Sequence, residues 1–240
     1  MGGIHIGTSG WQYDSWREPF YEGKSPSLEA YRESFDSVEV NGTFYGLPKR
    51  ESVQEWKTAA GDGFTFSVKA SRYITHMKKL KDPEDPLERF FSVVDSFGES
   101  LGPVLFQLPP KWRRNRERLA AFLDALPSGR RYVFEFRDPD WYHPEVYSLL
   151  ESAGAAFCLY HLAGHSSPRE VTADFVYIRL HGAKEAYRGS YSTEELSGWA
   201  GAVSSWARAG RDVFVYFDND QEAAAPRDAL RLKEMLFGAG

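Results

Sequence analysis

Ionisable residues recur at alternate positions of strand-like apolar runs in this sequence. In SVEVN, Val38 and Val40 alternate with Glu39 and Asn41; in FTFSVKA, Phe64, Phe66 and Val68 alternate with Thr65, Ser67 and Lys69. YVFEFR sets Tyr132, Phe134 and Phe136 against Glu135 and Arg137, and FVYIRLH sets Val176, Ile178 and Leu180 against Tyr177, Arg179 and His181. Gln107 ends PVLFQL, and DVFVYFDN sets Val215 and Phe217 against Tyr216 and Asp218. Side chains of a strand alternate between its two faces, so each run has an apolar and a polar face. Gathered in one place, the polar set suits proton transfer on an anionic substrate. Glu135 or Glu39 could act as general base, His181 as the proton donor that titrates nearest neutrality, and Lys69 as a point charge completing the catalytic group. Arg137 and Arg179 offer planar forks for a phosphate or carboxylate.

The elements that must position these residues are legible from periodicity. Eight strand-length runs begin at IHIGTS and end at DVFVYFDN, and most are separated by segments of helical spacing such as NRERLAAFLDALP and PEVYSLLESAG. Ser27, Asn115 and Thr193 are expected N-caps, Pro144 suits a first turn, and Gly154 and Gly210 follow their helices as C-terminal glycines. LAGHSSPREVTAD, between the sixth and seventh runs, has no helical period and reads as a loop. Strands alternating with helices in about 250 residues predict an α/β fold, a (β/α)8 TIM-barrel-like domain, imperfect at that loop and spanning residues 1–240.

A barrel explains the charged strands. The apolar faces must meet the helices, so the polar faces point into the lumen, and the ionisable residues lie at the C-terminal ends of their strands, where such barrels place their sites. Buried charges must be paired or meet a ligand. A salt-bridge network without chemistry is therefore the alternative to a catalytic site. The expected substrate-binding set is Arg137, Arg179, Gln107, Asn41, Trp11, Tyr45, Trp141 and Asn219, the aromatic members as stacking walls for a sugar or base, unless they pack the loops instead.

Composition narrows the classes. The net charge of -5 argues against a general polyanion binder. One cysteine, Cys158, excludes a disulfide framework and a multi-cysteine zinc site, and fits a reducing compartment. No apolar run is long enough to span a membrane and no signal segment is evident, so a cytoplasmic protein without membrane association is expected. No phosphate-binding glycine motif or H-E-x-x-H spacing is present, so no cofactor is predicted, although Glu39, Glu135, His181 and Asp218 leave a divalent metal open. TSGW lacks the glycine pattern of a nucleophile elbow around Ser9. KWRRNRER, residues 111–118, is a basic run on the mouth side and keeps nucleic-acid binding or processing as a second reading.

GTSGWQYDSW, SVEVNGTFYGLP, FSVKASRYITH, LFQLPPKW, FEFRDPDW, YIRLHG and VYFDND together resemble the YecE-like family, also called domain of unknown function 72, from Ile4 through the last helix. The resemblance implies a TIM-barrel-like fold and marks motif positions, including Glu39, Lys69, Glu135, Arg179 and His181. The family carries no settled activity, so it implies no reaction. Asp218 departs from the family's amide pair and adds a carboxylate. The residues themselves point to a hydrolase, lyase or isomerase acting by acid/base chemistry on an anionic, hydroxyl-rich, sugar-like small molecule. A non-catalytic small-molecule sensor is the third alternative, and oligomeric state is left open.

Overall fold

In the computed structural model, which describes residues 1–238, the alternating runs form one sheet curled into a nearly closed barrel. Its parallel strands are Ile4–Thr8 (β1), Ser37–Val40 (β2), Thr65–Lys69 (β3), Leu101–Gln107 (β4), Tyr132–Glu135 (β5), Ala156–Leu162 (β6), Phe175–Leu180 (β8) and Asp212–Phe217 (β9). His165–Ser166 (β7) turns back antiparallel on β6, so the non-helical connection is a short hairpin. The order runs β1-β9-β8-β6-β5-β4-β3-β2.

Helices lie between the strands: Leu28–Arg32 (α1), Gly42–Tyr45 (α2), Arg50–Ala60 (α3), Glu84–Val94 (α4), Arg116–Asp124 (α5), Pro144–Ser152 (α6), Thr193–Arg208 (α7) and Ala224–Phe237 (α8). Ser27 and Asn115 cap α1 and α5 as their sequence position predicts, with Asn115 Oδ1 accepting from Arg118 N at 2.9 Å. The cap of α7 is Ser192 rather than Thr193. Ser192 Oγ accepts from Glu195 N while the Glu195 carboxylate accepts from Ser192 N, a reciprocal box that outcompetes a cap one residue later.

Two apolar clusters show which way the strands face. Val38, Phe66, Phe106, Phe134, Ile178 and Val215 join helix residues such as Phe122, Leu150 and Leu232 in the outer core. Leu105, Val133, Cys158, Phe175, Tyr177, Phe214 and Tyr216 form a separate inner cluster that plugs the lumen. Two residues further along β5 and β8, the same inward faces present Glu135 and Arg179, so the charges sit on an apolar and aromatic floor.

The last gap, between β1 and β2, is closed by three devices. Ser9 and Glu39 form a parallel bridge, with Gly10 N donating to the Glu39 carbonyl at 2.9 Å. Lower down, the Tyr31 hydroxyl accepts from Thr8 N at 2.9 Å and donates to the Ser37 carbonyl at 3.1 Å, so a buried phenol stands in for a missing backbone bond. Gly7 permits the approach, because a Cβ there would come within 2.0 Å of the Ser37 carbonyl oxygen.

Candidate active site

Arg179, fully buried on β8, is the centre of the charged layer. Its Nη2 donates to Glu39 Oε1 at 2.7 Å and to Asp218 Oδ2 at 3.1 Å, its Nη1 to Glu135 Oε2 at 2.9 Å, and its Nε to Glu39 Oε1 at 3.2 Å. Burial opposes the guanidinium charge, but Glu39, Glu135 and Asp218 outweigh it and hold Arg179 ionised. Glu39 is further satisfied by Ser9 Oγ at 2.7 Å and the Tyr177 hydroxyl at 2.6 Å. The donors of Arg179 are thus turned toward protein carboxylates, which leaves little of its fork for a ligand.

Arg137 extends this network upward from the end of β5. Its Nε donates to Glu135 Oε1, and its Nη2 lies 2.9 Å from His181 Nε2. A guanidinium can only donate, so Nε2 must accept, and the ring proton sits on Nδ1, donating to Asp218 Oδ2 at 2.8 Å. In this network His181 is buried beneath Arg137, with Nε2 as the acceptor and Nδ1 as the donor, rather than facing outward as a proton source. Desolvation works against the Glu135 charge, yet Arg137 and Arg179 hold its carboxyl well below the usual range. Asp218 is held down in the same way, burial being outweighed by the His181 hydrogen bond and Arg179. Neither carboxylate is poised near neutrality, as a general base would be.

Above this layer a cavity of about 620 Å³ opens at the barrel mouth, lined among others by Lys69, Gln107, Arg137, Tyr160, Tyr187 and Tyr45. A larger hollow of about 810 Å³ lies at the opposite end, around His5, Asp95, Arg130 and Arg131. There Arg130 is paired with Asp95 at 2.7 Å and Arg131 with Asp212 at 2.8 Å, so its charges are spent and it sits at the strand starts, away from the functional end. In the mouth cavity Lys69 Nζ makes no hydrogen bond or ion pair among the described residues and lies 4.5 Å from the centre of the Phe44 ring. Burial, then the Arg179 charge, pull the Lys69 pKa below its ordinary value against Asp218, Glu39 and Glu135. Arg137 Nη1 likewise makes no hydrogen bond among the described residues, and the guanidinium carbon of Arg137 lies 4.7 Å from the centre of the Tyr160 ring.

The expected site residues therefore separate into layers. Lys69, Gln107, Arg137 and Tyr45 face the cavity; Glu39, Glu135, Arg179 and His181 lie sealed under it. Trp141 is buried, with Nε1 donating to the Trp112 carbonyl at 2.6 Å and its ring stacked on Phe136. Trp11 is buried edge-on against Trp56. Both pack loops instead of forming ligand walls. Asn219 Nδ2 ties the Gly189 carbonyl and the buried Asp228 together at 2.7 and 2.9 Å, anchoring the loop that carries Tyr187. Asn41 lies between β2 and α2, outside the cavity lining. The basic run places Trp112 against Trp141 and Arg114 N on Asp140 at 3.0 Å, so part of it braces the loop.

Sequence reasoning passed over Phe44, Tyr160 and Tyr187 as cavity residues. Tyr187 lies in a loop without periodicity, and only its distance past a strand end could have pointed to it. Asp220 was also missed: burial first, then the Asp218 charge, push its carboxyl up to about 8. Among the described residues no group of three or more His, Cys, Asp or Glu side chains could hold a metal ion. The carboxylates that left a divalent ion open are turned to Arg179 instead.

Comparison with known proteins agrees with the fold. The model of the family described as Protein of unknown function DUF72 matches residues 5–239. The chain belongs to the DUF72 family. Among its relatives, UPF0759 protein YunF of Bacillus subtilis is 26% identical over 277 residues, covering 97% of this chain and 94% of YunF. A DUF72 family protein of Thermotoga maritima superposes with a TM-score of 0.88 at 27% identity, over 98% of this chain and 99% of that one. A D-allulose 3-epimerase from Methylomonas sp. superposes at 0.59 with 13% identity, covering 99% and 98%, a likeness of fold alone. DUF72 is thus a TIM-barrel-like family without a settled activity, as the motifs imply. Among the described residues no helix is long and apolar enough to cross a membrane.

Proposed function

We propose that the barrel mouth binds a small anionic, hydroxyl-bearing molecule and acts on it by acid/base chemistry. One observation carries this reading: Lys69 Nζ, a cation without an ion-pair partner among the described residues, and Arg137 Nη1, a donor that the Arg137–Glu135 pair leaves over, border the same cavity above a charge layer that is otherwise satisfied. Stability alone does not call for such an arrangement, since an unpaired buried cation is costly and a bound anion would relieve it. Arg137 supplies the geometry for a phosphate or carboxylate, and Gln107, Tyr160 and Tyr187 supply neutral hydrogen-bonding groups for hydroxyls. Because Glu135 is neutralised by two arginines, the base role passes to the free-amine form of Lys69, whose share the lowered pKa raises, while Arg137 keeps hold of the anion. A reducing, cytoplasmic setting belongs to the same reading and is supported by the buried free thiol of Cys158.

The test is calorimetric titration with inorganic phosphate and with sugar phosphates, on the parent protein and on Arg137→Met. Saturable binding that weakens about tenfold or more in the variant is expected, as for loss of a charge-assisted bond of at least about 1.5 kcal/mol. Equal affinity in both proteins, or none in either, overturns the anion site.

A further inference from the structure

We infer that Lys69 is a carbonyl-trapping nucleophile, forming an imine with an aldehyde or ketone that also carries a phosphate or carboxylate. This rests on the reading of the mouth as an anion site and adds the reactive group of the substrate. A lysine turned inward beside glutamates would ordinarily be their counter-ion. Here that role is filled twice over, by Arg179 against Glu39, Glu135 and Asp218 and by Arg137 against Glu135. Lys69 reaches none of these carboxylates within ion-pair distance among the described residues. Its amine stands over the Phe44 ring instead.

The surroundings are those that free an amine for attack. Burial and the Arg179 guanidinium both disfavour the ammonium form, as in lysines that form Schiff bases in desolvated sites beside another cation. His76, on the same wall, is also shifted toward its neutral form, first by burial and then by Lys69, and its ring meets Phe44 edge-on at 5.0 Å. With Glu39 and Glu135 sealed below, Lys69 is the basic amine that a substrate in the cavity meets.

The step balances without a further reactant. The Nζ lone pair adds to the carbonyl carbon, the C–O π pair moves to oxygen, and that oxygen leaves as water with one amine proton and one solvent proton, giving the iminium. The cation so formed is an electron sink for breaking a C–H bond next to the former carbonyl, the bonding pair moving toward the iminium nitrogen and the proton passing to solvent in the open mouth. This lets acid/base chemistry proceed where the lumen carboxylates cannot act. Arg137 would hold the anionic end across the cavity.

The experiment is reductive trapping on the intact protein with sodium cyanoborohydride and, separately, glyceraldehyde 3-phosphate, pyruvate and uncharged propanal, followed by peptide mass spectrometry. With at least one anionic probe, Lys69 is expected to label roughly tenfold or more faster than the exposed Lys24. Inorganic phosphate should slow it, and Arg137→Met should bring that probe's rate down to the propanal rate. Which anionic probe leads distinguishes a phosphate from a carboxylate substrate. If Lys69 labels no faster than Lys24 with every probe, the imine is overturned, while calorimetric anion binding would still stand. If Lys69 leads but labels equally with all three probes, the anionic half of the inference and the anion site beneath it fall together.

Discussion

Replacing Arg179 by methionine removes the cation shared by Glu39, Glu135 and Asp218 while keeping much of the side-chain volume. All of these groups are buried or nearly so, which means the carboxylates cannot turn to water for compensation. Removing one partner of a buried pair costs about 3–5 kcal/mol, and the several contacts of one guanidinium do not add as independent terms. A loss of about 3–5 kcal/mol at pH 7 is therefore expected, a large part of the roughly 5–15 kcal/mol by which such domains are stable. The assay is urea unfolding followed by circular dichroism at pH 7 and pH 5. In the parent protein Glu135 and Asp218 have folded pKa values below their ordinary 4.5 and 3.8, so their stabilisation is complete above those values and is lost as pH falls through the folded ones. Without Arg179 the desolvation is opposed at Glu135 by Arg137 and at Asp218 mainly by the His181 hydrogen bond, so both folded values rise and that of Asp218 is expected to pass above its ordinary one. The variant should then gain stability relative to the parent between pH 7 and pH 5. Arg179→Lys, which keeps a point charge without the fork, should fall between the two and stays measurable if the methionine variant does not fold. A loss under about 1 kcal/mol, as for an exposed pair, or a gap unchanged by pH, would refute a buried charge centre.

Asp220→Asn should reverse the usual direction. A carboxyl raised to about 8 stabilises the native state fully only below its ordinary 3.8, and that contribution is lost as pH rises toward 8. The amide variant should therefore exceed the parent by about 1–3 kcal/mol at pH 8 in urea titrations, the gap closing toward pH 4. Trp141→Ala empties a fully buried loop anchor and should cost about 3–5 kcal/mol in the same assay; a cost below about 1 kcal/mol would return Trp141 to the ligand wall.

Much of the barrel is legible before any coordinates because parallel strands with charges on alternate residues have few ways to hide them. Val38 beside Glu39, or Phe134 beside Glu135, already assigns inside and outside. What periodicity does not give is depth. Lys69 and Glu39 read alike as inward polar residues at strand ends, yet Glu39 is sealed and Lys69 borders the cavity. The difference comes from Arg179, whose fork draws three carboxylates from three strands around itself and leaves the lysine outside. Pairing between strands far apart in sequence has no local signature. The same holds for Trp141, whose place after a strand fits a stacking wall and a packed loop equally, and for Tyr187, held over the mouth through Asn219 and Asp228.

Glu39 serves the molecule twice. Its main chain latches the final gap of the cylinder, and its side chain supplies one of the anions around the central guanidinium. Sealing the wall and quenching the positive charge are therefore a single event, and a partly wound sheet leaves Arg179 short of one counter-ion. A cylinder open at this seam forgoes an ion-pair partner of Arg179 together with the hydrogen bond that joins its first and second strands.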